Sequence, residues 1–100
     1  MRRAGRVAID TLGCRLNQAE TESIARDFLE RGYELRGVDE GVDTYVLNTC
    51  TVTHIADRKS RHLLRLARRI NPSALLIATG CYAERAPNEL AEAGANLVVG

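Results

Sequence analysis

Short apolar runs alternate with longer stretches of helical periodicity along this chain, the pattern of a parallel α/β sheet. Residues 6 to 12 form the first run. Asn17 with Glu20 three positions on reads as a capping box. It opens a helix from about Gln18 to Arg31 that stops at Gly32. Ile24, Ala25, Phe28 and Leu29 share one face of that helix. Tyr33 to Val38 reads as a half-polar edge strand, and an Asp/Gly-rich turn leads to the short β-prone run Tyr45-Val46-Leu47. Thr53 is placed to cap a second helix reaching about Ile70, where Asn71-Pro72 ends it. Ala56, Leu63, Leu66, Ala67 and Ile70 form its core-facing stripe. Leu75 to Thr79 is the most apolar strand and is expected at the centre of the sheet. Pro87 opens a third helix ending near Gly94, and Asn96 to Val99 makes the last strand.

Five strands and three helices follow in the order β-α-β-β-α-β-α-β. The link between strands two and three is short enough for a hairpin, yet Gly37 to Asp43 also suits an irregular crossover. The crossover gives an α/β, flavodoxin-like (Rossmann-type) three-layer sandwich with a five-stranded, mainly parallel sheet in the order 2-1-3-4-5. No helix follows the fifth strand to cover it, as expected of a piece of a longer protein or one that needs a partner there.

Composition narrows the class only slightly. One hundred residues make one domain, with hydrophobic and charged shares of 45% and 27% that are ordinary for a globular chain. A formal net charge of +1 gives no general attraction to nucleic acid, so any basic feature must be local. No stretch approaches the roughly 18 apolar residues of a membrane span. Asp10 breaks the apolar run behind the basic start, so no signal peptide is expected there. An odd cysteine count without such a signal points to a reducing, cytoplasmic setting rather than to disulfides.

The cysteines change the picture. They close the segments Arg6-Val-Ala-Ile-Asp-Thr-Leu-Gly-Cys14, Thr44-Tyr-Val-Leu-Asn-Thr-Cys50 and Ala74-Leu-Leu-Ile-Ala-Thr-Gly-Cys81, each where a strand is expected to give way to a loop. Their separations of 36 and 31 residues are too long for a zinc-finger pair, so any joint site is assembled by the fold. In the order 2-1-3-4-5 the three strands are neighbours. Their thiols would meet at the strand carboxyl ends, where open α/β sheets bind ligands. A lone cysteine is usually core filler, but three beyond strand ends, beside Gly13, Thr49 and Gly80, suggest a metal site. The chemistry admits an iron–sulfur cluster, or zinc with His54 as fourth ligand. Spacing does not choose between them.

Thr11-Leu-Gly-Cys-Arg-Leu-Asn17, Glu20-Thr-Glu22, Asn48-Thr-Cys-Thr-Val-Thr-His54, Ala56-Asp-Arg-Lys-Ser-Arg61 and Thr79-Gly-Cys-Tyr-Ala83 resemble the amino-terminal domain of radical SAM methylthiotransferases. The wording is most similar to the subfamily acting on N6-threonylcarbamoyladenosine in tRNA, and the resemblance covers essentially residues 1–100. It implies that Cys14, Cys50 and Cys81 ligate an auxiliary 4Fe–4S cluster with one open iron. It also implies a radical SAM barrel, with a second 4Fe–4S cluster and S-adenosylmethionine, and an RNA-binding domain in the same protein. Neither domain's motifs occur in these residues, so this portion alone is expected to be inactive. The implied reaction inserts a methylthio group at C2 of the modified adenosine next to the anticodon. Asn17 and Asn48 are candidates to hydrogen-bond around the ligating thiolates.

The second helix is locally basic, carrying Arg58, Lys59, Arg61, Arg65, Arg68 and Arg69 against Asp57. A solvated charged face is the ordinary reading of such a run. Phosphate contact with tRNA is the functional one, and Arg58, Lys59 and Arg61 stand nearest the cysteine end. The competing readings of the chain are a flavodoxin-like binding or regulatory module with structural cysteines, or a methylthiotransferase for isopentenyladenosine tRNA or a ribosomal protein. No G-x-x-x-x-G-K-[ST] loop is present to support nucleotide binding.

Overall fold

Apolar runs short enough to be strands and periodic stretches long enough to be helices alternate in space as they do in sequence. The computed structural model describes residues 5–12, 15–49 and 54–99, and for 15–18 and 54–55 the backbone alone. The elements are β1 (Gly5–Thr11), α1 (Arg15–Glu30), β2 (Tyr33–Leu35), a 3₁₀ turn (Val38–Glu40), β3 (Thr44–Thr49), α2 (His54–Ile70), β4 (Leu75–Gly80), α3 (Cys81–Arg85), α4 (Pro87–Glu92) and β5 (Leu97–Val99). The sheet order is β2-β1-β3-β4-β5, and every neighbouring pair is parallel. The flavodoxin-like topology is therefore as expected, and the link from β2 to β3 is the irregular crossover over β1. Asn71 ties that crossover down: its Nδ2 donates to the Val38 carbonyl at 2.8 Å, and its Oδ1 accepts from the Val42 amide at 3.1 Å. Among the described residues no helix is long and apolar enough to cross a membrane.

Several details differ from the sequence expectation. Helix α1 begins at Arg15, so Asn17 lies within its first turn and does not cap it. Leu29 is exposed; the inward face of α1 is Thr21, Ile24, Ala25 and Phe28, each half-buried. Phe28 stacks edge-on against Tyr33 with ring centroids 4.9 Å apart. Strand β2 closes at Leu35 rather than Val38, because the chain turns into the 3₁₀ segment. β3, not β4, is the central strand. It is buried at every position, including Thr44, Asn48 and Thr49, because it has neighbours on both edges and layers on both faces.

The α2 stripe is also turned by one residue. Its buried positions are Asp57, Ser60, Leu64 and Ala67, while Leu63 and Leu66 are half-buried and Ile70 is exposed. Ser60 reconciles its hydroxyl with burial by donating to the Ala56 carbonyl at 3.0 Å. The main core gathers Tyr45, Leu47, Leu76 and Ala78 of the sheet under Leu64, Ala67, Tyr82 and Leu90. Finally, the expected third helix is present as α4 from Pro87, and a short helix that the sequence pattern does not show, α3, precedes it. The chain re-enters a helix at Cys81 directly after Gly80, breaks at Ala86, and restarts at Pro87.

Candidate functional site

Three neighbouring strands end together on one edge of the sheet. Thr11 of β1 is level with Asn48 of β3, Asn48 with Thr79 of β4, and Thr49 with Gly80. The chain runs from these ends towards residues 14, 50 and 81. Cys14 and Cys50 lie outside the described residues, as does Thr53, and so do the side chains of Asn17 and His54. Cys81 is described. It is a free, exposed thiol at the first position of α3, and not in a loop. Among the described residues no three His, Cys, Asp or Glu side chains come together as a metal site.

The edge is tightly built around Gly80. Its backbone sits at φ 99°, ψ −167°, a region reserved for glycine. A Cβ placed there would lie 2.1 Å from the Thr49 carbonyl oxygen, 2.8 Å from Asn48 Oδ1 and 2.9 Å from the Thr49 nitrogen. The absent side chain is what lets β4 turn sharply beside β3 and start the helix bearing Cys81. Thr49, fully buried, donates its hydroxyl to the Thr79 carbonyl at 2.7 Å and locks the two strand ends together. On the other face of the sheet, Asn48 Nδ2 donates to Thr21 Oγ1 of α1 at 3.0 Å. Asn48 thus links α1 to the strand end two residues before Cys50. Thr21, within the Glu20-Thr-Glu22 motif, is a partner that the sequence pattern alone does not single out.

Polar side chains pin α3 to its neighbours. Tyr82 is fully buried; its hydroxyl accepts from Arg61 Nη1 at 2.6 Å and donates to Glu89 Oε1 of α4. Burial pushes the Tyr82 phenol above its ordinary range and the Glu89 bond adds to this, while Arg61 opposes them. Arg85 reaches back from α3 to the buried Asp57 of α2, Nη2 to Oδ2 at 2.7 Å, and lies 5.1 Å from the Tyr82 ring centroid. Cys81 is therefore presented by a short helix fastened at both ends of its first turn and a half. A thiol is the soft donor that iron–sulfur clusters take. In chemistry and exposure Cys81 fits that role.

The basic residues of α2 separate into two kinds. Arg58, Lys59, Arg65 and Arg69 are exposed. Arg61 is half-buried and engaged with Tyr82 and Glu89, so it is first of all a packing cation. Arg68 is a clamp: it donates to the carbonyls of Pro72 at 2.9 Å and Ala74 at 2.7 Å, and bonds Asn96 before β5. Neither role shows in the sequence, because every partner of these side chains except Pro72 and Ala74 is twenty or more residues away.

The model of the uncharacterized protein family UPF0004 matches residues 6–100. A threonylcarbamoyladenosine tRNA methylthiotransferase of Aquifex aeolicus (strain VF5) is 48% identical over 96 residues, covering 95% of this chain and 23% of that protein. The enzyme of the same name from Bacillus subtilis (strain 168) is 50% identical over 95 residues, covering 94% of this chain and 21% of that protein. A tRNA-2-methylthio-N(6)-dimethylallyladenosine synthase of Methylacidiphilum infernorum (isolate V4) is 35% identical over 89 residues, covering 86% and 19%. The chain spans about a fifth of the length of these curated relatives.

Proposed function

This chain belongs to the UPF0004 family, and from that premise we propose that it is the amino-terminal, cluster-bearing domain of a longer tRNA methylthiotransferase acting on N6-threonylcarbamoyladenosine. In this reading Cys14, Cys50 and Cys81 hold a 4Fe–4S cluster at the carboxyl edge of the sheet. The observation that carries it is the register of the three strands. The described residues leading to each cysteine end side by side, at Thr11–Asn48 and Thr49–Gly80. The threonylcarbamoyladenosine assignment draws on the 48% and 50% identities, against 35% for the dimethylallyladenosine enzyme.

When bound, such a cluster would supply an iron able to hold the sulfur destined for C2 of the adenine. The chain's own contribution is positioning, because a reacting sulfur must stand within contact distance of the base. Gly80 lets the two strand ends close up. Thr49 and Asn48 fix the end of β3. Tyr82 and Arg85 hold the helix that offers Cys81. Asn17 in the first turn of α1 and Asn48 at the end of β3 are the side chains assigned to hydrogen bonds around the thiolates. The S-adenosylmethionine chemistry, its own cluster and the main RNA-binding surface belong to the remaining four-fifths of the protein, without which this domain is inactive. The exposed cations of α2, led by Arg58 and Lys59, contribute contacts to the tRNA backbone.

The test is made on the full-length protein, reconstituted anaerobically with iron and sulfide. Cys14→Ser, Cys50→Ser and Cys81→Ser should each lower the iron content by about four per chain. Each should also leave tRNA without the methylthio group when expressed in a strain lacking the native gene. Unchanged iron content in all three variants would sink the cluster assignment.

A further inference from the structure

Two residues that defy local preference meet at the carboxyl edge of the sheet. Asn48 is fully buried near the end of the central strand, although asparagine is depleted from strands and its carboxamide is costly to bury. Thr21 stands on the half-buried inward face of α1 beside Ile24, Ala25 and Phe28, where an apolar residue would pack as well. Threonine is also a poorer helix former than alanine. The 3.0 Å hydrogen bond from Asn48 Nδ2 to Thr21 Oγ1 accounts for both choices. Paired departures from local preference mark a demand set by a functional site rather than by the fold.

That demand is visible in what Asn48 touches. Its main-chain carbonyl accepts from the Leu12 amide at 3.0 Å, which holds the exit of β1 two residues before Cys14. Its Nδ2 reaches the second turn of α1, the helix that starts at Arg15, directly after Cys14. Its Oδ1 lies against Gly80, directly before Cys81, where a Cβ would stand only 2.8 Å away. Its own strand runs on to Cys50 two residues later. The rung is the last one that the three strands share, with Thr11, Asn48 and Thr79 level. One residue therefore gauges the separation of all three segments from which the cysteines follow. Thr49, by contrast, ties β3 to β4 on the other face of the sheet.

We propose that Thr21 is a positioning residue for the cysteine site: by holding the Asn48 carboxamide between α1 and Gly80, it sets the spacing at which the three cysteine-bearing segments leave the sheet. The inference rests on the reading of Cys14, Cys50 and Cys81 as one site, and it adds the residue that keeps the α1 side of that site in register. Thr21 acts through Asn48. Removing its hydroxyl takes the acceptor from a buried amide donor, which then has to find another partner. Asn48 moves away from α1, or α1 moves away from the strand end, and either shift displaces the Cys14 segment against the other two. Donors of a metal site are held to within about 0.5 Å of their working geometry, so a small displacement is enough to weaken it.

The test uses the full-length protein, metal-free and reduced, with every cysteine beyond residue 100 replaced by alanine. Its probe is phenylarsine oxide, which binds tightly where two thiols stand close enough for one arsenic to bridge them. Thr21→Val keeps the shape of the side chain and removes the hydroxyl. It should weaken capture about tenfold, the usual scale for losing a partner behind a ligand, and Thr21→Ser should restore it. Asn71→Ala loses the bonds to Val38 and Val42 at the opposite end of the sheet. It should lower the melting temperature at least as far as Thr21→Val does, yet capture the probe like the parent protein. Equal capture by Thr21→Val and the parent, no restoration by Thr21→Ser, or an equal loss in Asn71→Ala overturns the proposal. So does a parent protein that captures no probe. Iron content reports separately on the function. If capture follows Thr21 while the three Cys→Ser variants keep their iron, the positioning role stands and the cluster reading falls. If those variants lose their iron while capture ignores Thr21, the cluster reading stands and the positioning role falls.

Discussion

Gly80 and Thr49 are in contact so close that no side chain fits between them: a Cβ on residue 80 would stand 2.1 Å from the Thr49 carbonyl oxygen. The obstruction is backbone in the buried central strand, so it cannot move aside as a flexible side chain would. Gly80→Ala therefore combines a clash with a φ of +99° that alanine rarely adopts. It should destabilise the fold by about 2 kcal/mol or more. Urea denaturation of the full-length protein checks this. A loss below about 0.5 kcal/mol would mean that β3 and β4 do not approach at this point.

Tyr45 carries a pH dependence whose sign is fixed. It is buried, 1% exposed, and donates to Asp10 Oδ2 at 2.8 Å. Burial first, then the Asp10 charge and the hydrogen bond, push its phenol far above the ordinary value of 10.0. The folded state therefore keeps the proton where the unfolded state loses it. This contribution to stability is complete below pH 10.0 and is lost as pH rises beyond it, by up to about 1.4 kcal/mol per pH unit for this one group. The raised Tyr82 acts in the same direction. Tyr45→Phe should cost about 1 kcal/mol at neutral pH and make the alkaline decline shallower. Denaturation series above and below pH 10 on both proteins test the slope; equal slopes would contradict the assignment.

The sheet order was legible because each strand announces itself by a short β-prone run and each long helix by its period. The breaks fall where those signals fail. Leu63 and Leu64 are adjacent apolar residues, so two stripes fit α2 equally well by composition. The true one runs through Asp57 and Ser60, which a hydrophobic pattern assigns to solvent. Their burial depends on Arg85 and on the Ala56 carbonyl, and Arg85 is 28 residues away. The five-residue helix Cys81–Arg85 is too short to show a period. What marks its start is Gly80, and a glycine after a strand signals a loop as readily as a tight strand-to-helix turn. Of the candidate site, the alignment of the strand ends was readable from topology. The fastening of Cys81 through Tyr82, Arg61 and Glu89 was not, because it joins three helices through side chains that look like surface polar residues.

Arg85 and Asp57 make the next prediction. The Asp57 side chain is 8% exposed and that of Arg85 50%, so the pair is half in solvent. Asp57 Oδ1 is buried and has no hydrogen-bond partner among the described residues, which leaves Oδ2 and Arg85 to offset the desolvation. Arg85→Ala should destabilise the protein by about 1–2 kcal/mol, below the range for fully buried pairs because the guanidinium is hydrated. Arg85→Lys should recover only part, since an ammonium lacks the planar group that lies over the Tyr82 ring. Asp57→Asn with Arg85→Ala should cost less than the two single losses added together, and thermal denaturation of the four proteins gives the coupling. Strict additivity would show that the pair contributes nothing to fastening α3.

The basic face of α2 yields a prediction only after its cations are separated. Charge reversal at Arg61 would break the bonds to Tyr82 and Glu89 and disturb the helix bearing Cys81, so any fall in RNA binding there would be ambiguous. Arg58 and Lys59 are exposed and lie in the first turn and a half of α2, at the edge where β1, β3 and β4 end. Arg69 is exposed near the other end, about 16 Å further along the helix axis. If the edge faces the anticodon loop, the doubly reversed Arg58→Glu, Lys59→Glu protein should bind tRNA more weakly and with a shallower salt dependence. Its slope against log salt should fall by about 1 for each phosphate that is no longer neutralised. Arg69→Glu should leave both nearly unchanged. Filter-binding titrations of the full-length protein across a salt series distinguish the outcomes. Equal effects at both ends would indicate diffuse attraction, and no effect at either would return this face to ordinary solvated surface.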